Sequence, residues 1–212
     1  RPNVRIVVIP GFLADDVMLA PLRFFIQKLG YKVYPWGLGR NLAQRENELR
    51  LIRQVRSLSR KYQQKVSLVG WSLGGVYARE TARIIPEDIR QVITLSSPFS
   101  GLNEPNHANW IYELISGSST KHANNELFER MKEPIDIPHT SIYSKLDGIV
   151  HWENCMNQYT SPIAENVEVY SSHWGIIHHP VVMHCIADRL AQEAHIWTPF
   201  KAKGIERFLY PR

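Results

Sequence analysis

Gly70-Trp71-Ser72-Leu73-Gly74-Gly75 sets a hydroxyl between glycines placed two positions to either side. On a sharp turn from strand to helix a serine has a strained backbone, and neighbours at that distance must lack side chains for the turn to close. Such a turn lifts the hydroxyl above the sheet edge. It also aims the first N–H groups of the following helix at whatever binds there. A serine hydroxyl is a weak nucleophile at neutral pH, so it needs a base within hydrogen-bond reach. A chain with 12 glycines produces such a pentapeptide by chance often enough that the partners must decide its meaning.

Nine histidines compete for the role of base. His173 lies in Ser171-Ser172-His173-Trp174-Gly175, just past an alternating run, Val167 to Tyr170, that reads as a strand. His107, His122, His139 and His195 lie off the ends of the expected strands, and His178, His179 and His184 lie in or near the last helix. His151 is the one serious rival. For the acid, Asp147 follows the run His139 to Tyr143; Asp136 precedes that run, at the wrong end, and Glu153 competes only if Asp147 merely caps a turn. In this reading His173 takes the proton of Ser72, and Asp147 orients the imidazole and stabilises its charged form. An oxyanion formed by attack on a carbonyl needs two preorganised donors. The backbone N–H of Leu73 is one, and Phe12, after Pro10-Gly11, supplies the other. His179 and His184 do not share a helix face, so a metal pair there is disfavoured. No metal and no cofactor are expected.

The elements that must position these groups alternate. Val4–Ile9 reads as a strand, followed by the turn Pro10-Gly11-Phe12-Leu13 and a helix capped by Asp15 or Asp16 that runs to about Leu29. Tyr31–Trp36 is a second strand. Residues from about Ala43 to Tyr62 form an amphipathic helix with Leu51, Val55, Leu58 and Tyr62 on one face and Arg50, Arg53, Arg56 and Arg60 in solvent. Lys65–Val69 is the strand leading to Ser72, and Tyr77–Arg83 continues as helix. Gln91–Leu95, His139–Tyr143 and Val167–Tyr170 complete six strands, and a last helix spans about Pro180 to Ala194 with Val182, Ile186 and Leu190 inward. Strands alternating with helices imply a parallel sheet covered on both faces, and ligands bind such sheets at the carboxyl ends of the strands. Ser72, Asp147 and His173 all fall at such ends.

At 212 residues the chain reads as one domain, 1–212. The connection from Phe99 to Pro138 is too long for a simple crossover. It reads as a packing helix near Asn124–Met131 plus an excursion at about 102–120, carrying Trp110, that forms either a small cap or a second buried helix. The net charge of +5 is scattered, not blocked, so no nucleic-acid partner is expected. No run is long and apolar enough to span a membrane, and no secretory leader is visible, which favours a cytoplasmic setting. Cys155 and Cys185 form no metal or redox pattern; they read as free buried thiols, with a disulfide between them as the alternative.

Five stretches together resemble the α/β-hydrolase superfamily, its short bacterial lipase and esterase-like members above all: Val8-Ile9-Pro10-Gly11-Phe12, Gly70 to Gly75, Ser97-Pro98-Phe99-Ser100-Gly101, Ser141 to Val150, and Ser172-His173-Trp174-Gly175-Ile176. The chain order Ser…Asp…His is that of these enzymes. The resemblance implies a minimal α/β-hydrolase fold, a six-stranded parallel sheet ordered 2-1-3-4-5-6 with helices on both faces. That order brings Phe12 and Ser72 together across the switch point between the first and third strands. The chain departs from the family's pattern at two places: Pro10-Gly11 stands where lipases usually have His-Gly, which keeps the backbone donor and alters the hydrogen bonding behind it, and Ile176 stands where leucine usually follows the histidine motif.

Leu13, Trp71, Ile149, Trp174 and Trp110 would give the pocket an apolar wall, and Arg40 reads as an exposed turn residue. These residues point to a serine esterase or lipase acting on a small-molecule ester with an apolar acyl or alkyl group. An acyltransferase or thioesterase would use the same three residues. A noncatalytic binding module on this scaffold is the reading from another class, and the presence of all three polar groups speaks against it.

Overall fold

The computed structural model describes residues 4–100, 129–193 and 196–211. The expected excursion at about 102–120, with Trp110, lies outside the described residues, as do His107, His122 and His195. Six strands, β1 (Arg5–Ile9), β2 (Lys32–Pro35), β3 (Val66–Trp71), β4 (Ile89–Leu95), β5 (His139–Tyr143) and β6 (Ala164–Glu168), form one sheet in the order β2-β1-β3-β4-β5-β6. Every pairing is parallel. Among the described residues lie the helices α1 (Ala20–Lys28), α2 (Arg45–Tyr62), α3 (Leu73–Ile84) and α4 (Pro180–Ala191), and residues 129–132 are helical as well.

The central strands are apolar almost without interruption because both faces of a parallel sheet are covered. β3 is buried at every position. Val7, Ile9, Leu68 and Val92 face α2 and α3, where they meet Leu51, Val55 and Val76. Ile6, Val8, Val69, Ile93 and Leu95 face the other layer, against Leu22 and Ile26 of α1 and Val182, Ile186 and Leu190 of α4. Cys155 and Cys185 are both buried free thiols. Among the described residues no helix is long and apolar enough to cross a membrane.

Two boundaries differ from the sequence reading for identifiable reasons. Asp15 does not cap α1; its Oδ1 accepts from the N–H groups of Val17 and Met18 (3.0 and 3.3 Å) and closes a separate turn. Asp16 instead binds the backbone N–H groups of Trp36 and Gly37 (3.0 and 2.9 Å), stapling the loop after β1 to the turn after β2. The helix starts only at Ala20, where a proline sits in its first turn. β6 begins three residues before the expected Val167. Its polar start is stabilised by partners: Glu165 accepts from Thr140 Oγ1 (2.7 Å) and from buried Arg189 (2.9 Å). Those pairings let Ala164–Glu168 lie opposite His139–Tyr143 in register.

Arg79 of α3 is 1 % exposed. Its guanidinium lies over the Phe99 ring (3.9 Å), reaches His139 Nδ1 (2.8 Å), and donates to the carbonyls of Met131 and Glu133 (3.2 and 2.9 Å). It thus holds the chain on both sides of residues 101–128. Burial, and then the Arg79 charge, keep His139 neutral and well below the usual histidine range. A depressed histidine contributes stability that is complete above the ordinary value near 6.5 and is lost as pH falls, because only the unfolded chain takes up the proton. The unfolding free energy should therefore drop on acidification below about pH 6.5, by up to about 1.4 kcal/mol per pH unit from this group. Denaturant titrations across pH 5–8 check this: His139→Gln should flatten that slope, and an unchanged slope would refute the assignment.

Candidate active site

All strands run the same way, so the loops after β1, β3, β5 and β6 leave from one edge. Ser72 sits between β3 and α3 with φ of 53°, a region that disfavours side-chain-bearing residues. Its glycine neighbours explain how the turn closes. A Cβ on Gly70 would stand 2.4 Å from the Gly74 carbonyl oxygen, and one on Gly74 would stand 2.3 Å from the Ile9 carbonyl oxygen. The start of α3 therefore lies directly against the end of β1. The Ser72 N–H donates to the Leu95 carbonyl (2.8 Å), which fixes the turn from the β4 side.

The three side chains singled out from sequence meet. His173 Nε2 lies 3.1 Å from Ser72 Oγ, and His173 Nδ1 lies 2.7 Å from Asp147 Oδ2. Ser72 and His173 are 2 % and 4 % exposed. The other Asp147 oxygen, Oδ1, accepts from the N–H groups of Ile149 and Val150, both at 2.9 Å. Burial by itself raises the Asp147 carboxyl, but the His173 hydrogen bond and charge and the two backbone donors together hold it below the usual aspartate range. An ionised carboxylate only accepts, so His173 Nδ1 carries a proton and Nε2 is left to accept from the Ser72 hydroxyl.

The rivals are elsewhere. His151 is largely exposed and faces Glu153 at 3.9 Å. His179 accepts from Val181 N–H at the start of α4. Asp136 is exposed. Among the described residues no group of three or more histidine, cysteine, aspartate or glutamate side chains is disposed to hold a metal. A cavity of about 260 Å³ opens at the opposite edge of the sheet, lined by Arg90, Pro138, Ile163 and Trp197 among others. Its position at the amino ends of β4 and β5 separates it from Ser72.

Of the residues read as pocket wall, Leu13 and Trp174 are about half exposed on this edge and Ile149 is half-buried. Trp71 is buried beside Ser72 and His173. Its indole N–H donates to the His173 carbonyl (3.0 Å), and its ring packs on the His173 and Trp174 rings with centroids 5.4 and 5.0 Å away. Trp110 lies outside the described residues. Arg40 is exposed.

Two buried residues hold these loops in ways that the sequence does not show. Ser144 Oγ accepts from the N–H groups of Leu146 and Ser171 (3.1 and 3.0 Å), tying the loop of Asp147 to the loop of His173. Asn41, fully buried, bonds the loop after β1. Ser144 stands in the Ser-x-x-Asp pattern that the resemblance supplies around Asp147, whereas nothing around Asn41 marks it; only the fold shows what either residue holds.

This sheet order, with a serine turn after the third strand and its partners after the fifth and sixth, defines an α/β-hydrolase superfamily member. The chain belongs to the PGAP1-like alpha/beta domain family, whose model matches residues 20–187. Solved structures agree in fold. Lipase B of Aspergillus fumigatus aligns with a TM-score of 0.70 at 14 % identity, covering 90 % of this chain and 53 % of the lipase. The chain thus spans about half the length of that enzyme. A structure from the metagenome-derived lipolytic enzymes LipS and LipT aligns with a TM-score of 0.69 at 15 % identity, covering 90 % of this chain and 94 % of that one. The thioesterase domain from the curacin biosynthetic pathway aligns with a TM-score of 0.60 at 16 % identity, covering 91 % and 92 %. A comparison with curated protein sequences gives no match.

The contact between α3 and β1 yields a direct test. Gly74→Ala forces a methyl against the Ile9 carbonyl, and neither backbone can yield without opening the sheet. Unfolding in urea should show a loss of about 3 kcal/mol or more; a loss under about 1 kcal/mol would mean that the close approach is not required.

Proposed function

We propose that this protein is a serine hydrolase that cleaves carboxylic esters through an acyl-enzyme on Ser72, with the chain acting as one domain. The observation that carries the reading is the continuous line from Asp147 through His173 to Ser72, with separations of 2.7 and 3.1 Å. As Ser72 Oγ attacks the ester carbonyl carbon, His173 Nε2 takes the hydroxyl proton, and ionised Asp147 stabilises the imidazolium. The carbonyl oxygen becomes an oxyanion facing the N–H groups of Leu73 and Phe12. His173 returns the proton to the leaving alkoxide, and the alcohol departs. A water molecule then repeats the sequence on the acyl-enzyme, releasing the acid and restoring Ser72.

The substrate class is a small ester with an apolar acyl or alkyl group. Half-exposed Leu13 and Trp174 and half-buried Ile149 border the loops of Phe12, His173 and Asp147, and support this choice. A thioester would pass through the same acyl-enzyme, and the structural likeness to a thioesterase domain supports testing both.

Ser72→Ala should abolish turnover of p-nitrophenyl esters while leaving circular dichroism and thermal midpoint close to native. A fluorophosphonate probe should label the native protein and not this variant; turnover retained by Ser72→Ala would end the proposal. Asp147→Asn leaves the imidazole in the wrong tautomer and should lower kcat by about 10³- to 10⁴-fold. Hydrolysis progress curves at saturating ester measure that loss.

A further inference from the structure

The loop after β1 must hold the Phe12 N–H in one direction if it is to receive a developing oxyanion, yet it lacks the histidine that would brace it. Its peptide planes are fixed one after another by other means. The Pro10 carbonyl, in the Pro10–Gly11 unit, accepts from Asn41 Nδ2 at 2.8 Å. The Gly11 carbonyl, in the unit that carries the Phe12 N–H, accepts from Ala14 N–H at 3.1 Å. The Leu13 N–H, in the next unit, donates to the Asn41 carbonyl at 2.8 Å. The Asn41 N–H in turn donates to the Ala14 carbonyl at 2.8 Å.

One residue therefore grips the peptide unit on each side of the Gly11–Phe12 unit, and also the residue that closes the turn across it. Leu13 is held at φ of 60°, a conformation leucine rarely adopts, and it persists only where the surroundings over-determine it. The loop touches the nucleophile: a Cβ on Gly11 would stand 3.0 Å from Ser72 Cβ. Asn41 itself is fixed. It is 0 % exposed, and its Oδ1 accepts from the Ala43 N–H at 3.1 Å. The assignment of its amide follows from these two partners, since Pro10 C=O can only accept and Ala43 N–H can only donate.

We infer that Asn41 is the positioning residue of the oxyanion site, which preorganises the Phe12 N–H from the turn after β2 in place of a histidine in the loop after β1. The inference rests on the ester-hydrolase reading above. Asn41 touches neither the substrate nor the reacting atoms. It acts on the transition state alone, because the N–H it aims is worth most where negative charge develops.

The experiment compares native protein, Asn41→Ala and Asn41→Asp in p-nitrophenyl ester hydrolysis and in inhibition by an alkyl trifluoromethyl ketone. In that inhibitor complex Ser72 Oγ bonds the ketone carbon, the hydroxyl proton passes to His173, and the ketone oxygen becomes an oxyanion. Asn41→Ala should lower kcat by about 10- to 100-fold with KM changed less than about twofold, and weaken the ketone by a similar factor. Asn41→Asp keeps the shape but donates to the Pro10 carbonyl only when protonated, and burial favours that form. Its kcat relative to native should therefore rise at least about threefold between pH 8 and pH 5, which a loss of packing alone would not produce.

A folded Asn41→Ala with native kcat, or one whose deficit lies in KM with ketone affinity unchanged, would overturn the inference. If Asn41→Ala does not fold, the pH ratio of Asn41→Asp decides, and a flat ratio overturns it. Failure of the ester reading itself is distinguishable, because native protein would then neither turn over esters nor react with the fluorophosphonate.

Discussion

The arrangement of this edge depends on a contact between two backbones. α3 starts so close to the end of β1 that the Gly74 position has no room for a methyl group beside the Ile9 carbonyl. That approach forces Ser72 into its left-handed conformation and lifts its hydroxyl off the sheet. It also brings the Gly11–Phe12 loop alongside the serine, although more than fifty residues separate them in the chain. α3 is buried along nearly its whole length, so its core packing and this close approach are set together. The absence of side chains at Gly70, Gly74 and Gly75 permits it, and the Ser72–Leu95 backbone bond holds it.

Around that contact the polar groups are allocated without conflict. Asp147 divides its two oxygens, one for its own loop and one for the imidazole. The His173 backbone is held by the Trp71 indole, and Ser144 joins the two loops that carry Asp147 and His173. Each of these bonds restricts a loop at the sheet edge, where chain segments are otherwise the least constrained part of such a fold. The rigidity comes from the parallel sheet, which delivers four loop starts at fixed spacings, and from buried polar residues that remove the remaining freedom.

Much of this was legible in the sequence. The glycine spacing around Ser72 announced a turn, because a steric requirement leaves a compositional mark. The alternation of apolar strands with Leu51–Val55 and Val182–Ile186–Leu190 helices announced the layers, because burial leaves a periodic one. Asp147 and His173 stood out because each follows a strand. What stayed hidden obeys a different physics. Asn41, Ser144 and Asp16 each reach at least one backbone group far off in the chain, in Pro10, Ser171, and Trp36 with Gly37, and such bonds demand no pattern nearby. β6 was placed late because Glu165 and Asn166 are polar residues satisfied by remote partners. For Trp71 the sequence shows an aromatic residue next to Ser72, but not that its indole is buried against the His173 and Trp174 rings.

Arg79 has a consequence for how this scaffold can vary. Its guanidinium grips Phe99 on one side and the Met131 and Glu133 carbonyls on the other, while Ser100 is bonded to the carbonyls of Asn154 and Met156. Both anchor points of the intervening stretch are thereby set by residues outside it. Closing a longer or shorter span between fixed anchors costs only a slowly growing entropy. The anchors at Phe99–Ser100 and at Met131–Glu133 should therefore keep their places when the number of residues between them changes, because the groups that grip them lie on α3 and in the loop after β5.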